Sequence, residues 1–125
     1  MAPETHTDKV YEAELAQLRD RLLEMGGKVE AALAGSVRAL TERDGALAER
    51  VQAQDRDINR IEVEIDEMCG RLLALRQPAA SDLRFITTAL KIVTDLERMG
   101  DLAVNVAERA WSSPRPRRPA PSTTS

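Results

Sequence analysis

Two acidic pairs carry the most distinctive chemistry in this 125-residue sequence: Glu62 with Asp66, and Glu97 with Asp101. Each pair has the spacing Glu-x-x-x-Asp, which places both carboxylates on one face of a helix, one turn apart. Like charges at this spacing destabilise a helix by about 0.2–0.5 kcal/mol per pair. Only Asp101 has a basic residue three or four positions away, namely Arg98. Carboxylates without basic neighbours, set on paired helices, indicate oxygen ligands for a hard cation.

The composition predicts an all-α protein. Hydrophobic residues make up 42% of the chain but aromatic residues only 2%, so aliphatic side chains, Met and Ala must fill the core. The scarcity of aromatic residues excludes a platform that stacks nucleic-acid bases. All 21 acidic residues precede Trp111, and three of the 18 basic residues follow it, which leaves 15 basic residues and a net charge near −6 before the tail. This charge argues against general phosphate-backbone binding and fits a cation or a basic partner.

Neither the cysteine content nor the apolar pattern indicates export or membrane insertion. Cys69 is the only cysteine, so no disulfide can form within the chain. The segment Met1–Val10 is polar and lacks the apolar run of a signal peptide. No stretch of about 18 apolar residues is present. The sequence therefore predicts a soluble, cytoplasmic protein.

Apolar residues recurring every three or four positions predict three long helices joined by short turns. A pattern resembling a capping box, Thr5 to Asp8, marks the start of the first helix. The predicted helices run from about Thr7 to Leu40, from an N-cap at Asp44 to about Leu75, and from Pro78 or Ser81 to about Ala110. Three such helices predict an antiparallel, up-down-up bundle of long helices.

Gly26 and Gly27 fall in the middle of the first predicted helix. Together they lower the stability of a helix by about 2 kcal/mol relative to two alanines. The pair could mark a kink or be tolerated within a packed helix. Because the apolar stripe keeps its phase across the pair, we expect a continuous helix.

The third helix carries two apolar stripes, which suits a helix that contacts two neighbours. Only Glu97 breaks one of them, and a charge there needs a partner. A single domain over residues 1–111 is therefore predicted, followed by a disordered tail over residues 112–125 with four prolines and three arginines. The tail is expected to be solvated, and contact of its arginines with an acidic surface is the alternative.

The hairpin of the second and third helices decides which carboxylates meet. If Leu75 lies level with Asp82, polar tracks on the two helices face one another. The candidate metal ligands on these tracks are Glu97, Asp101, Asn105, Asp55, Asn59, Glu62 and Asp66. In this register Asp66 lies about two turns from Glu97, whereas the nearest counterparts of Glu97 and Asp101 on the second helix are Asp55, Asn59 and Glu62. The simpler alternative to a metal site is that these residues form a solvated surface with weak salt bridges.

Other chemistries fit the sequence less well. Redox di-iron sites in helical bundles use Glu-x-x-His motifs, whereas the sole histidine here is His6, near the N-terminus. The sequence does not fit a metal-assisted hydrolase either, because it has neither a nucleophile-orienting histidine nor a Gly-rich loop beside the carboxylates. Cys69 lies near the acidic track, and we expect it to be a small buried hydrophobic residue rather than a ligand.

Longer motifs in the second and third helices resemble the PhoU family. They are Leu73-Ala74-Leu75-Arg76-Gln77-Pro78-Ala79-Ala80-Ser81-Asp82-Leu83-Arg84, and Leu90-Lys91-Ile92-Val93-Thr94-Asp95-Leu96-Glu97-Arg98-Met99-Gly100-Asp101 with Asn105. Glu24-Met25-Gly26 and Glu62-Val63-Glu64-Ile65-Asp66 add to the likeness, which covers about residues 6–110. The resemblance implies a PhoU-like three-helix repeat. Family members typically carry two such repeats in tandem, and this chain has one.

The resemblance also implies a function. PhoU proteins are cytoplasmic, non-enzymatic accessory proteins of the phosphate ABC transporter, and they help a sensor histidine kinase to repress the phosphate-starvation response. Partners would be the transporter ATPase subunit, the kinase or both. Bound metal, divalent or iron, is implied at Glu/Asp-x-x-x-Asp motifs, which Glu97–Asp101 and Glu62–Asp66 match.

The single repeat leaves two functional hypotheses open. One is a negative regulator of phosphate uptake, and the alternative is a helical oligomerisation module that no longer signals. A lone repeat leaves one apolar stripe of the third helix poorly covered, so homodimer formation is predicted, with no nucleic acid bound.

Overall fold

The computed structural model describes the backbone of residues 2–112 and the side chains of residues 8–110. It contains three α-helices, α1 (Ala2–Glu42), α2 (Gly45–Leu75) and α3 (Ala80–Ser112). Each helix packs against both of the others. This arrangement confirms the all-α, three-helix architecture. Residues 113–125, which include nearly all of the predicted tail, lie outside the described residues.

The first helix is longer than its sequence pattern predicted. α1 begins at Ala2 rather than Thr7, so the proposed capping box lies inside the helix and does not start it. Pro3 falls in the first turn, where the missing N–H has no intrahelical partner and the fixed φ favours a helix. α1 also continues through Gly26 and Gly27, as the unbroken phase of the stripe predicted.

A short turn reverses the chain between α1 and α2. Asp44 has extended backbone angles (φ −96°, ψ 95°), and its carboxylate accepts a hydrogen bond from the Leu47 N–H at 3.0 Å. Its own N–H donates to the Ala39 carbonyl at 2.9 Å. The Asp44 N-cap is thereby confirmed.

We expect Asp44→Ala to lower the free energy of unfolding by about 1 kcal/mol, because the N–H of Leu47 loses its acceptor. Urea unfolding followed by circular dichroism measures the change. Asp20→Ala, at an exposed position of α1, is the control and should have little effect. Equal stability of the two variants would contradict the capping role.

The core consists of one aliphatic cluster along the bundle axis. Its largest buried side chains include Leu18 and Met25 from α1, Ile61 and Ile65 from α2, and Ile86 from α3. The apolar stripe that the sequence predicts for α2 is partly wrong; it comprises Leu47, Val51, Gln54, Ile58, Ile61, Ile65, Met68, Leu72 and Leu75. Gln54 and Leu75 are exposed, while Ala48 and Cys69 are buried.

Two polar contacts join α1 to the other helices at one end of the bundle. The Tyr11 hydroxyl of α1 donates a hydrogen bond to Asp82 of α3 at 2.8 Å, and burial together with this bond raises the pKa of Tyr11 to about 12. Arg76, at the end of α2, pairs with Glu14 of α1 at 2.9 Å. Both contacts hold α1 against the turn between α2 and α3, so they help to set the position of that hairpin.

In α3 the core draws on both predicted apolar stripes. The first stripe comprises Phe85, Ala89, Ile92, Leu96, Met99, Ala103, Val106 and Ala110, and the second comprises Leu83, Ile86, Leu90, Val93, Glu97, Gly100, Val104 and Ala107. Ala89 and Ala103 come from one stripe, and Ile86 and Val93 from the other. The first stripe is consequently not buried throughout its length, since Ile92 is 41% and Met99 45% exposed. None of the helices within residues 2–112 is long and apolar enough to cross a membrane.

Candidate functional site: the carboxyl pair between α2 and α3

The carboxylates meet where α2 and α3 pack closely together. At Gly100 of α3 the two helices are in van der Waals range: a Cβ atom there would lie 3.8 Å from Asp55 Oδ1 and 3.8 Å from a methyl group of Ile58, both on α2. About two turns further along α2, the side chain of Glu62 is hydrogen-bonded to that of Glu97. Both contacts follow the predicted hairpin register, which places Asp55 and Glu62 opposite the Glu97–Asp101 segment.

Glu62 and Glu97 approach one another across the helix interface closely enough for a proton to lie between them. Both side chains are partly buried, and two carboxyl groups can form a hydrogen bond only if one of them is protonated. The pKa of Glu62 is raised to about 7, chiefly by desolvation, then by the hydrogen bond to Glu97 and by the negative charges of Glu97, Asp66 and Asp101. Near neutral pH this pair can therefore take up or release one proton.

The other predicted ligands lie at different distances from the pair. Asp66 and Asp101 are exposed but close enough to raise the pKa of Glu62. Asp55 and Asn59 form a separate group on α2, in which the Asn59 amide donates to Asp55 Oδ2 at 3.2 Å. Asn105 is exposed on α3, one turn beyond Asp101. The structure thus brings together two of the seven predicted ligands directly and two more by electrostatic proximity.

The donor set determines which metal ions the site could hold. Within the described side chains, no group of three or more His, Cys, Asp or Glu residues is arranged to hold a metal ion. Two converging carboxyl groups therefore do not fit a closed protein cage. They fit a hard cation such as Mg²⁺, which keeps several water molecules and binds through one or two carboxylates. When bound, such an ion would supply positive charge at this helix interface.

Sequence reasoning ranked these residues differently from the structure. The sequence pattern drew attention to Glu97, because it interrupts an apolar stripe. In the structure it is the pKa of Glu62 that burial and the neighbouring carboxylates raise. Its position opposite Glu97 in the hairpin register was the available signal. The expectation for Cys69 is confirmed: it is 1% exposed within the core, and burial raises the pKa of its thiol to about 11.

Relatives of this chain share its sequence over most of its length. It is 50% identical over 105 residues to a "Phosphate-specific transport system accessory protein PhoU homolog" of Pseudomonas putida, covering 84% of this chain and 41% of that protein. It is 41% identical to the corresponding protein of Escherichia coli strain K12, covering 84% of this chain and 44% of that protein. The chain therefore spans less than half the length of these relatives.

The fold has a close counterpart as well. The crystal structure of PhoU from Pseudomonas aeruginosa superposes with a TM-score of 0.80 at 49% identity, covering 86% of this chain and 53% of that one. The PhoU domain pattern matches residues 22–110, a span that includes every predicted ligand. On these likenesses the chain belongs to the PhoU family.

Proposed function

We propose that this protein is a regulator of phosphate uptake that represses the phosphate-starvation response. The observation that carries the proposal is the 50% identity over 105 residues to a protein named as an accessory protein of phosphate-specific transport. That identity extends over 84% of the chain. The proposal concerns this repeat, since the relatives are more than twice the length that it matches.

The acidic face between α2 and α3 is the proposed docking surface. Glu62, Asp66, Glu97 and Asp101 concentrate negative charge there, and the bundle as a whole is acidic. Such a surface suits a basic patch on the transporter ATPase subunit or on the sensor histidine kinase, because complementary charge speeds association and favours the correct partner. Regulation then takes place in the cytoplasm through contact rather than through catalysis.

A genetic experiment tests the regulatory role. In a bacterium that lacks its own PhoU protein, expression of this chain should lower alkaline phosphatase activity in phosphate-rich medium. Glu62→Gln/Glu97→Gln should restore that activity, because the docking surface loses its two partly buried carboxylates. Glu49→Gln/Glu67→Gln removes the same number of charges at exposed positions of α2 and should repress like the wild type. Failure of the wild-type chain to repress, when it is folded and expressed, would sink the proposal.

We further propose that a divalent cation occupies the carboxyl pair, with Glu62 and Glu97 as protein ligands and water completing its coordination. Ligands must be deprotonated, so binding should strengthen as pH rises. Addition of Mg²⁺ or Mn²⁺ should raise the melting temperature at pH 8 by about 4 °C and by less at pH 6. Glu62→Gln/Glu97→Gln should abolish the increase, while Glu49→Gln/Glu67→Gln keeps it. An equal increase in all three proteins would show non-specific binding.

A further inference from the structure

The face between α2 and α3 changes in chemical character along its length. On α3, Leu83 and Leu90 precede Glu97 at heptad intervals, so the three residues lie on the same side of the helix. On α2, Leu73 follows Asp66 by one heptad and shares its side of that helix. Both helices thus carry leucines near the hairpin and carboxylates further along the same side.

The leucines nearest the hairpin are open to solvent. Leu73 is 38% and Leu83 41% exposed, and the register of the hairpin places them within one residue of being level. Gly70, about one turn from Leu73 towards Asp66, is also exposed, and a Cβ atom there would meet nothing within 4 Å. The space beside Gly70 is therefore open to a side chain of a partner. We call Leu73, Leu83 and Gly70 the apolar end of the face.

The other part of the face is acidic. Its carboxylates are those of Asp55, Glu62, Asp66, Glu97 and Asp101. Lys91 and Arg98 are exposed beside them on α3 and offset part of their charge. A partner segment that covers the whole face must therefore carry apolar side chains at one end, where they replace water over the leucines, and positive charge at the other.

The dimensions of the face suit one helix of a partner. From Leu73 to Asp55 it is about 27 Å long, which a helix of about 18 residues would cover at about 1.5 Å per residue. Two neighbouring helices form a groove between them, and an amphipathic helix can lay its side chains into such a groove. Leu83 and Glu97 are about 21 Å apart along α3, so the apolar and the basic residues of that helix would be separated by about 14 positions.

We propose that the segment recognised by this face is an amphipathic helix with apolar residues at one end and lysine or arginine residues at the other. Its apolar side chains pack over Leu73, Leu83 and Gly70, and its cations lie over the carboxylates. The inference rests on the proposed function, since it takes this face to be the docking surface and adds which segment of a partner it binds. Because the two ends of the face differ, the segment binds in a single orientation.

Repression of alkaline phosphatase, in the strain without its own PhoU protein, tests the apolar end. Leu73→Ser/Leu83→Ser should weaken docking at least about tenfold and so relieve repression, because it removes apolar contacts but keeps every carboxylate. Leu23→Ser/Leu75→Ser is the control. These leucines are 69% and 67% exposed, on α1 and on the opposite side of α2 from Leu73, and the variant should repress like the wild type.

The outcomes of this experiment separate the two proposals. If Leu73→Ser/Leu83→Ser represses like the wild type, while circular dichroism shows the same helix content and melting temperature, the apolar end has no role and the acidic face still docks a partner. If the wild-type chain itself does not repress, the proposed regulatory function is wrong, and the recognition of an amphipathic helix is decided by direct binding.

A synthetic helix measures that binding with the purified full chain. The probe is an alanine-based peptide of about 21 residues, with leucines near one end and lysines about 14 positions further on. The comparison peptide has the same composition, with the leucines and lysines intermixed along its length. Fluorescence anisotropy should show that the wild type binds the first peptide at least about tenfold more tightly. Equal affinity for the two peptides overturns the proposal without the use of any variant.

The dependence of binding on salt assigns the two ends of the peptide. Leu73→Ser/Leu83→Ser should remove the preference for the first peptide and leave the decrease of affinity with salt as steep as in the wild type. Glu62→Gln/Glu97→Gln should make that decrease less steep, because fewer charges face the lysines. A preference for the first peptide that survives Leu73→Ser/Leu83→Ser places its leucines elsewhere on the protein and overturns the proposed site.

Discussion

Replacement of Gly26 and Gly27 by alanine is expected to raise the free energy of unfolding by about 2 kcal/mol. Both glycines lie within the uninterrupted helix α1, and no glycine among the described residues has a positive φ. Glycine in a helix interior costs about 1 kcal/mol relative to alanine, because the unfolded chain loses more backbone freedom on folding. A Cβ atom at either position meets nothing within 4 Å. The full difference in helix propensity should therefore appear as stability.

Gly35 provides the matched control on the same helix. A Cβ atom there would lie 3.0 Å from a methyl group of Val51, a buried residue of α2. The gain in helix propensity is then offset by the displacement of a core side chain, so Gly35→Ala should bring no net stabilisation. Urea unfolding measures all the variants, and melting temperature should rise by about 8 °C for Gly26→Ala/Gly27→Ala. If this variant is no more stable than wild type, the helix does not continue through the pair under the conditions of the experiment.

The contrast between these glycines shows where sequence reasoning ends. The phase of the apolar stripe sufficed to predict that α1 continues through Gly26 and Gly27. Nothing in the pattern showed that Gly35 is the glycine against which another helix packs. Close approach depends on the rotation and separation of two helices, which a periodic pattern in one helix does not determine.

The same limit applies to the candidate site. The short hairpin between α2 and α3 was enough to predict that Glu62 and Asp55 lie opposite the Glu97–Asp101 segment, because turn length determines the register of antiparallel neighbours. The extent to which each carboxyl group is desolvated was not predictable. That property depends on side-chain packing at the interface, and desolvation is the main reason that the pKa of Glu62 is raised.

The boundaries of the core show a further physical limit. The heptad stripe of α2 predicted a buried Leu75, which is 67% exposed at the end of the helix. A strict repeat of seven residues drifts by about 20° per heptad on a straight helix. Towards the end of α2 this drift brings Cys69 into the core and turns Leu75 outward.

The stability of the wild-type protein should fall by about 2 kcal/mol as the pH rises from about 4.5 to 7. The pKa of Glu62 is raised from 4.5 to about 7 in the folded protein. Between these values the folded state binds more protons than the unfolded chain, so a rise in pH favours unfolding. The shift corresponds to about 3 kcal/mol, which solvent screening of a partly exposed pair reduces to about 2 kcal/mol.

Glu62→Gln isolates this contribution. The glutamine amide can still donate a hydrogen bond to Glu97, but it cannot ionise. We expect the variant to be about 2 kcal/mol more stable than wild type at pH 8 and nearly equal to it at pH 4.5. Glu67→Gln, at an exposed position of α2, should retain the pH dependence of the wild type. Parallel pH profiles for wild type and Glu62→Gln would rule out the shared proton.

The pH dependence also distinguishes a ligand site from mere charge repulsion. A proton and a cation compete for the same oxygen atoms of Glu62 and Glu97, so a bound cation should return at pH 8 the stability that deprotonation removes. If Mg²⁺ restores the stability of the wild type but leaves Glu62→Gln unchanged, the pair is a cation site whose affinity is limited by its proton. If Glu62→Gln is more stable at pH 8 and Mg²⁺ affects neither protein, the carboxylates contribute repulsion alone. Carboxylates that destabilise the fold without binding a cation would then support the docking of a basic partner as their role.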